Sequence, residues 1–126
     1  MKTEKIYTQH EENKEWANSL LFYKDEITIM KGRLAEVASK NTSKDVLAKV
    51  EHFQNQFLIQ TETIDTLKHD INLSKDALNK EILKNGIAVD HRSIEDHTVI
   101  RENISSFEKI FKTLKTEFNE FVATWL

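Results

Sequence analysis

Five histidines and the acidic residues near them are the side chains of this chain best suited to chemistry. In the helical arrangement predicted below, Glu81 and His97 fall at nearly the same height on neighbouring helices, and His91 lies shortly before His97. A carboxylate beside an imidazole can form a pH-sensitive contact or supply part of a metal site. Glu81, His91 and His97 are therefore candidates for metal ligands. They are weak candidates, because the sequence contains no Glu-x-x-His motif of the kind used by di-iron bundles.

Composition disfavours most other chemistry. The chain has no cysteine, so thiolate catalysis, disulfides and thiolate metal sites are excluded. Its two isolated glycines cannot form a phosphate-binding loop, and the glycine-bearing elbow that usually presents a nucleophilic serine is missing. We therefore expect a non-enzymatic protein without a bound metal or cofactor, whose histidines lie at the surface or in interfaces.

The charge and hydropathy of the chain restrict its partners. The formal net charge is -3, and acidic and basic residues alternate without the clustered basic face that nucleic acid requires. No run approaches the roughly 20 apolar residues that span a bilayer, and helices that lie on membranes usually carry a face rich in lysine and arginine. The first residues lack the apolar stretch of a signal peptide. We expect a cytoplasmic protein that binds neither nucleic acid nor membranes.

Apolar residues recur at alternating steps of four and three over three long segments, which is typical of helices packed side by side. In the heptad notation abcdefg, these residues take the inward positions a and d. Proline is absent and glycine is rare, as expected for long helices with few turns. The predicted inward residues are Trp16, Leu20, Tyr23, Ile27, Met30, Leu34 and Val37; then Val46, Val50, Phe53, Phe57, Gln60, Ile64, Leu67, Ile71, Ser74 and Leu78; then Ile100, Ile104, Phe107, Phe111, Leu114, Phe118, Phe121 and Trp125.

The three segments predict three long antiparallel helices. The predicted helices cover about residues 4–39, 43–85 and 92–126. Polar residues 41–45 and a Gly86 suited to a helix C-cap separate them. Because short connections make neighbouring helices antiparallel, we predict one all-α domain over residues 1–126, an elongated up-down-up three-helix bundle with coiled-coil-like packing. A helix break near residues 72–76, capped by Ser74, would give a four-helix bundle as the alternative.

One end of the predicted bundle has polar side chains at its inward positions. A buried polar group needs a hydrogen-bond partner, so this end is solvated, or holds a network that fixes helix register, or forms a pocket. The polar residues at inward positions are Gln9, Asn13, Ser74, Glu81 and His97. If they form a pocket, a small ligand or a metal could bind there.

Several apolar side chains fall outside the inward positions. Pairing the first two helices by the length of their turn places Leu58 and Ile59 level with Phe22 and Leu21. Unless the core is wider than a strict seam, these residues and Ile29 are poorly covered in a monomer, and exposed apolar patches usually mark an interaction site. Leu21, Phe22, Ile29, Leu58 and Ile59 are therefore the predicted interface, for a homodimer or for a helix of another protein.

Two functions fit these observations. The first is a non-enzymatic helical-bundle protein that acts through protein–protein contact and self-association. The alternative is a helical bundle that binds a small ligand or a metal at its polar end. The sequence names neither a partner nor a pathway.

Overall fold

The computed structural model describes the backbone of residues 2–85 and 91–126, and the side chains of residues 7–80 and 97–126. Over this part of the chain it contains three α-helices and no strand. The helices are α1 (Lys2–Lys40), α2 (Lys44–Asn85) and α3 (His91–Trp125). The predicted all-α three-helix bundle is confirmed. Since α2 continues without interruption through residues 72–76, the four-helix alternative is wrong. None of the described helices is apolar over a length sufficient to cross a lipid bilayer.

The first two helices are antiparallel, because Asn13 contacts Ser74 towards one end of the bundle and Lys24 contacts Asp65 nearer its middle. These two contacts set a register about one heptad away from the register estimated from the length of the turn. The predicted height matching of α1 with α2 was therefore wrong. The interlocking of side-chain layers, rather than the length of the connection, fixes how two long helices align.

The third helix runs parallel to α1, because Tyr23 contacts Glu108 near the middle of both helices and Asn41 contacts Trp125 at their ends. At the shared end of the two helices, the Asn41 side-chain amide donates to the Val37 carbonyl at 2.8 Å and to the Trp125 carbonyl at 3.1 Å. The last carbonyls of a helix have no partner within the helix, so one amide serves the C-terminal ends of both α1 and α3. The topology is thus up, down and up, as predicted.

The core consists of the predicted inward residues. At the apolar end, the Phe118 ring meets Phe53 and Phe57 edge-on, with ring centroids 5.3 and 5.2 Å apart. Such pairs stabilise beyond the apolar area that they bury. Trp125 is an exception, since 40% of it is exposed and the prediction of an inward side chain was wrong. Trp125 lies in the last turn of α3, and Val122, about one turn earlier, is buried instead.

Gly32 lies in the middle of α1 on its exposed face. A Cβ atom added there would meet nothing within 4 Å. Since glycine costs about 0.5–1 kcal/mol in a helix interior, we expect Gly32→Ala to raise the free energy of unfolding by that amount. Urea denaturation would measure the change, with Ala35→Gly on the same exposed face as the reciprocal control, expected to lower it equally. An unchanged or lower value for Gly32→Ala would contradict this account.

Candidate functional site

The polar end of the bundle brings together residues from all three helices. Gln9 and Asn13 of α1 and His97 of α3 are buried, while Ser74 of α2 is half-buried. The side chains of Glu81 and His91 lie outside the described residues, so the predicted Glu81–His97 pair stays a prediction. Among the described residues, no group of three or more histidine or acidic side chains is placed to hold a metal ion.

His97 is bound by a residue that the sequence analysis did not single out. Its Nε2 lies 3.1 Å from Oε1 of Glu12, and the Trp16 ring packs on the imidazole with centroids 4.7 Å apart. Arg101 holds the same carboxylate with two hydrogen bonds, from Nε at 2.9 Å and from Nη2 at 2.6 Å. Glu12 thus joins α1 to two residues of α3 that are one helical turn apart. A charge-assisted bidentate pair of this kind fixes both side chains.

The signal for this contact lies beside the inward positions. Glu12 precedes the inward residue Asn13, and Arg101 follows the inward residue Ile100. These are the g and e positions, where opposite charges commonly pair between adjacent helices of a coiled coil. Their heptad positions mark Glu12 and Arg101 as candidates for a pair between helices, and the register of α1 against α3 decides that they meet.

Burial and charge together set the ionisation of this cluster. The Arg101 hydrogen bonds hold the pKa of the Glu12 carboxyl below its usual value against the opposing effect of burial, with help from His97. Burial is the main cause that lowers the pKa of His97, and Glu12 only partly offsets it. Because a carboxylate can only accept, the neutral imidazole donates from Nε2, and its Nδ1 is buried without a partner. The cluster is a closed structural contact, and Glu12 is not free to act as a base.

Below this cluster, two amides of α1 face α2. Asn13 donates from Nδ2 to Ser74 Oγ at 3.5 Å, while its Oδ1 is buried without a partner. Gln9 is only 6% exposed and makes no hydrogen bond within the described part of the chain. Beside them a cleft of about 430 Å³ opens between α2 and α3. It is lined by Gln9, Leu73, Ser74, Leu78, Val99 and Asn103, among others. This end of the bundle thus contains both hydrogen-bonded contacts between helices and a cleft.

The flanks of α1 are closed by polar contacts between helices. Lys24 pairs with Asp65 across the α1–α2 flank at 3.2 Å. Lys115 pairs with Glu26 across the α1–α3 flank at 2.6 Å, in addition to the Glu12–Arg101 pair described above. Ion pairs at the surface therefore connect α1 to α2 and α1 to α3.

The α2–α3 flank carries no side-chain hydrogen bond or ion pair between its two helices within the described residues. A shallow groove follows it from the apolar end to the cleft at the polar end. In its middle, Asp70 is the single charged residue of the lining. The other residues there are Ile59, Gln60, Thr63, Thr66, Leu67, Asn103, Ser106, Phe107 and Ile110. We call this middle part the uncharged groove.

The predicted interface residues are all exposed, between 49% for Ile59 and 65% for Ile29. They do not share one flank. Ile59 lines the uncharged groove together with Ile110, whose exposure of 55% the sequence analysis overlooked. Leu21 and Leu58 take heptad position b, next to the side of each helix that the Lys24–Asp65 pair bridges.

Phe22 and Ile29 take position c of α1, on the side that the Glu26–Lys115 pair joins to α3. In the observed register Ile29, rather than Phe22, is level with Leu58 and Ile59. A helix turns by about 100° per residue, so the predicted stripe is divided among three flanks. An interface through one flank can therefore include only some of these residues.

We compared the chain with protein-family models, with curated proteins and with solved structures, and no match was found.

Proposed function

We propose that this chain is a non-enzymatic helical-bundle protein that acts through protein–protein contact, and that it forms a homodimer through the uncharged groove. The observation that supports this most is the contrast between the flanks. Both flanks of α1 carry bridging ion pairs, whereas the α2–α3 flank has none within the described residues. In a chain of which 31% is charged, a groove lining with one carboxylate is a depleted surface, as interface centres usually are.

A second copy of the chain is the occupant that this surface suits. In a two-fold dimer the same patch meets itself, so a charged patch would place like charges together. The uncharged groove keeps this repulsion small, since Asp70 is its one charged residue and it offers Ile59 and Ile110 as apolar contacts with hydroxyl groups around them. Two α2–α3 pairs would then form a four-helix layer between the copies. A strongly charged partner protein would find no complementary charge here.

The proposal requires no metal, cofactor, nucleic acid or membrane. The chain has no cysteine, so it needs no oxidising compartment for disulfides, and its surface carries charges of both signs. Both features support a location in the cytoplasm.

Paired substitutions on two flanks test the proposal. We expect the wild type to sediment as a dimer at micromolar concentrations, and Ile59→Glu with Ile110→Glu to raise the dissociation constant at least about a hundredfold. The reason is that the two carboxylates would be desolvated against their copies. Circular dichroism should show unchanged helicity, because both residues are exposed in one copy.

Phe22→Glu with Ile29→Glu is the matched control on the α1–α3 flank, and it should leave the dimer intact. A wild type that is monomeric at all concentrations would overturn the proposal. Dissociation by the control pair alone would instead assign the interface to Phe22 and Ile29. If the chain is monomeric and binds an amphipathic helix of another protein in the groove, that helix, and not a second copy, is the occupant.

A further inference from the structure

The cleft at the polar end is more enclosed than the rest of the α2–α3 groove, and its lining differs. Its walls are apolar, with Leu73 and Leu78 from α2 and Val99 and Ile100 from α3. Its volume of about 430 Å³ lies within the range of small-molecule sites, which are typically apolar with a few well-placed polar groups. The short side chain of Ser74 at an inward position, where larger residues stand elsewhere on α2, leaves this space open.

The polar groups of the cleft have unmet hydrogen-bonding capacity. Gln9 lines it, is 94% buried, and makes no hydrogen bond within the described part of the chain. Ser74 lines it as well, and its Oγ accepts a hydrogen bond from Asn13. Because the Gln9 amide borders the cleft and has no partner in the described protein, a bound group that hydrogen-bonds to it takes the place of water.

The kind of group is indicated by the balance of donors and acceptors. Among the described residues that line the cleft, Asp70 is the one that carries a charge; it is half-buried, and no described cation pairs with it. Its carboxylate can only accept hydrogen bonds, and the amide oxygens of Gln9 and Asn103 are further acceptors. A protonated amine donates three hydrogen bonds and carries the opposite charge. An anionic head group would instead meet the Asp70 carboxylate.

We propose that this cleft binds a small apolar molecule that carries a primary amine. The apolar part packs between Leu73 and Val99, and the ammonium group faces Asp70 and the Gln9 amide. The site goes beyond self-association. It shares Asp70 and Asn103 with the uncharged groove, but Ile59 and Ile110 do not line it.

Phenethylamine is the probe for this site, and hydrocinnamate is its anionic counterpart of similar size and shape. We expect a titration of the isotope-labelled chain of residues 1–126 with millimolar phenethylamine to shift the backbone amide signals of Ala77 and Val99. Hydrocinnamate should bind at least about tenfold more weakly, because its carboxylate is opposed by Asp70. Equal binding of the two probes would overturn the proposed amine preference.

Two variants localise the binding. Ala77 is exposed and lines the cleft, so Ala77→Phe should fill the cleft without disturbing the core and weaken phenethylamine binding at least about tenfold. Ala48→Phe makes the same change at an exposed position of α2 outside the cleft and should bind as the wild type does. Gln9→Leu should weaken binding by removing the amide, with folding checked by circular dichroism.

The proposal is overturned if phenethylamine shifts no signal of the cleft, or if Ala77→Phe binds it as well as the wild type. Sedimentation of the same samples separates this result from the proposed dimer. A monomeric wild type that binds phenethylamine would refute the dimer alone, and a dimer that ignores the probe would refute the amine site alone.

Discussion

Phe118→Ala is expected to lower the free energy of unfolding by about 3–5 kcal/mol, the usual cost of removing a buried phenylalanine ring. Phe118 has no exposed surface, and its ring packs edge-on against Phe53 and Phe57 of α2. The substitution removes the apolar area of the ring, leaves a cavity between α2 and α3, and breaks two aromatic contacts.

Urea denaturation followed by circular dichroism measures this change. Lys112→Ala is the control in the same helix, because Lys112 is exposed and because lysine and alanine are both good helix formers. Its effect should lie within about 0.5 kcal/mol. A loss below about 1 kcal/mol for Phe118→Ala would mean that the phenylalanine layers are not packed as described.

Acidification is expected to destabilise the bundle through His97. The pKa of His97 in the folded chain is lowered from the ordinary value of 6.5, so the unfolded chain takes up a proton more readily. The stability that the neutral imidazole contributes is therefore complete above pH 6.5 and is lost as the pH falls below it. The free energy of unfolding then falls by up to about 1.4 kcal/mol per pH unit for this one proton.

The neighbours of His97 support this direction. Burial disfavours a positive charge on His97 most, and Arg101 on the same helix also opposes it, whereas the Glu12 carboxylate from α1 favours that charge but does not outweigh burial. No charged side chain of the described part of α2 adds to these effects. The pKa of Glu12 is itself lowered from 4.5, so the stability from Glu12 is lost only as the pH falls below 4.5. Between pH 6.5 and 4.5, His97 is the group of this cluster that carries the dependence.

Urea denaturation of His97→Gln across that pH interval tests the assignment. Glutamine keeps an N–H donor for Glu12 but does not titrate, so the slope of stability against pH should become shallower. His52→Gln, at an exposed position of α2, is the matched control and should keep the wild-type slope. If His97→Gln retains the full slope, the acid sensitivity originates elsewhere in the chain.

The fold could be read from the sequence because heptad spacing acts over many residues at once. The steps through Ile100, Phe107 and Phe118 fix one face of α3 whatever the local propensities are, and that face is buried. The same periodicity placed Gln9, Asn13 and His97 inward, so the polar end of the bundle was also predictable.

The features that the sequence did not reveal depend on how the helices meet. Glu12 and Arg101 stand at flanking positions, and their contact requires the α1–α3 register and the fork of the guanidinium. The α1–α2 register depends on how whole layers of side chains interlock, which a count of turn residues cannot supply. Isoleucine is usually a core residue, and only the placement of α2 beside α3 shows that Ile110 lines a groove.

The shared amide of Asn41 also determines where a reporter can be attached. It brings the last turn of α3 beside the 41–43 connection, at the end of the bundle opposite to Gln9. From Trp125 back to Val99 the helix rises about 40 Å, so a dye or affinity tag joined after Leu126 would stand well clear of the amine cleft. Such a label could follow binding without occupying the surface on which binding occurs.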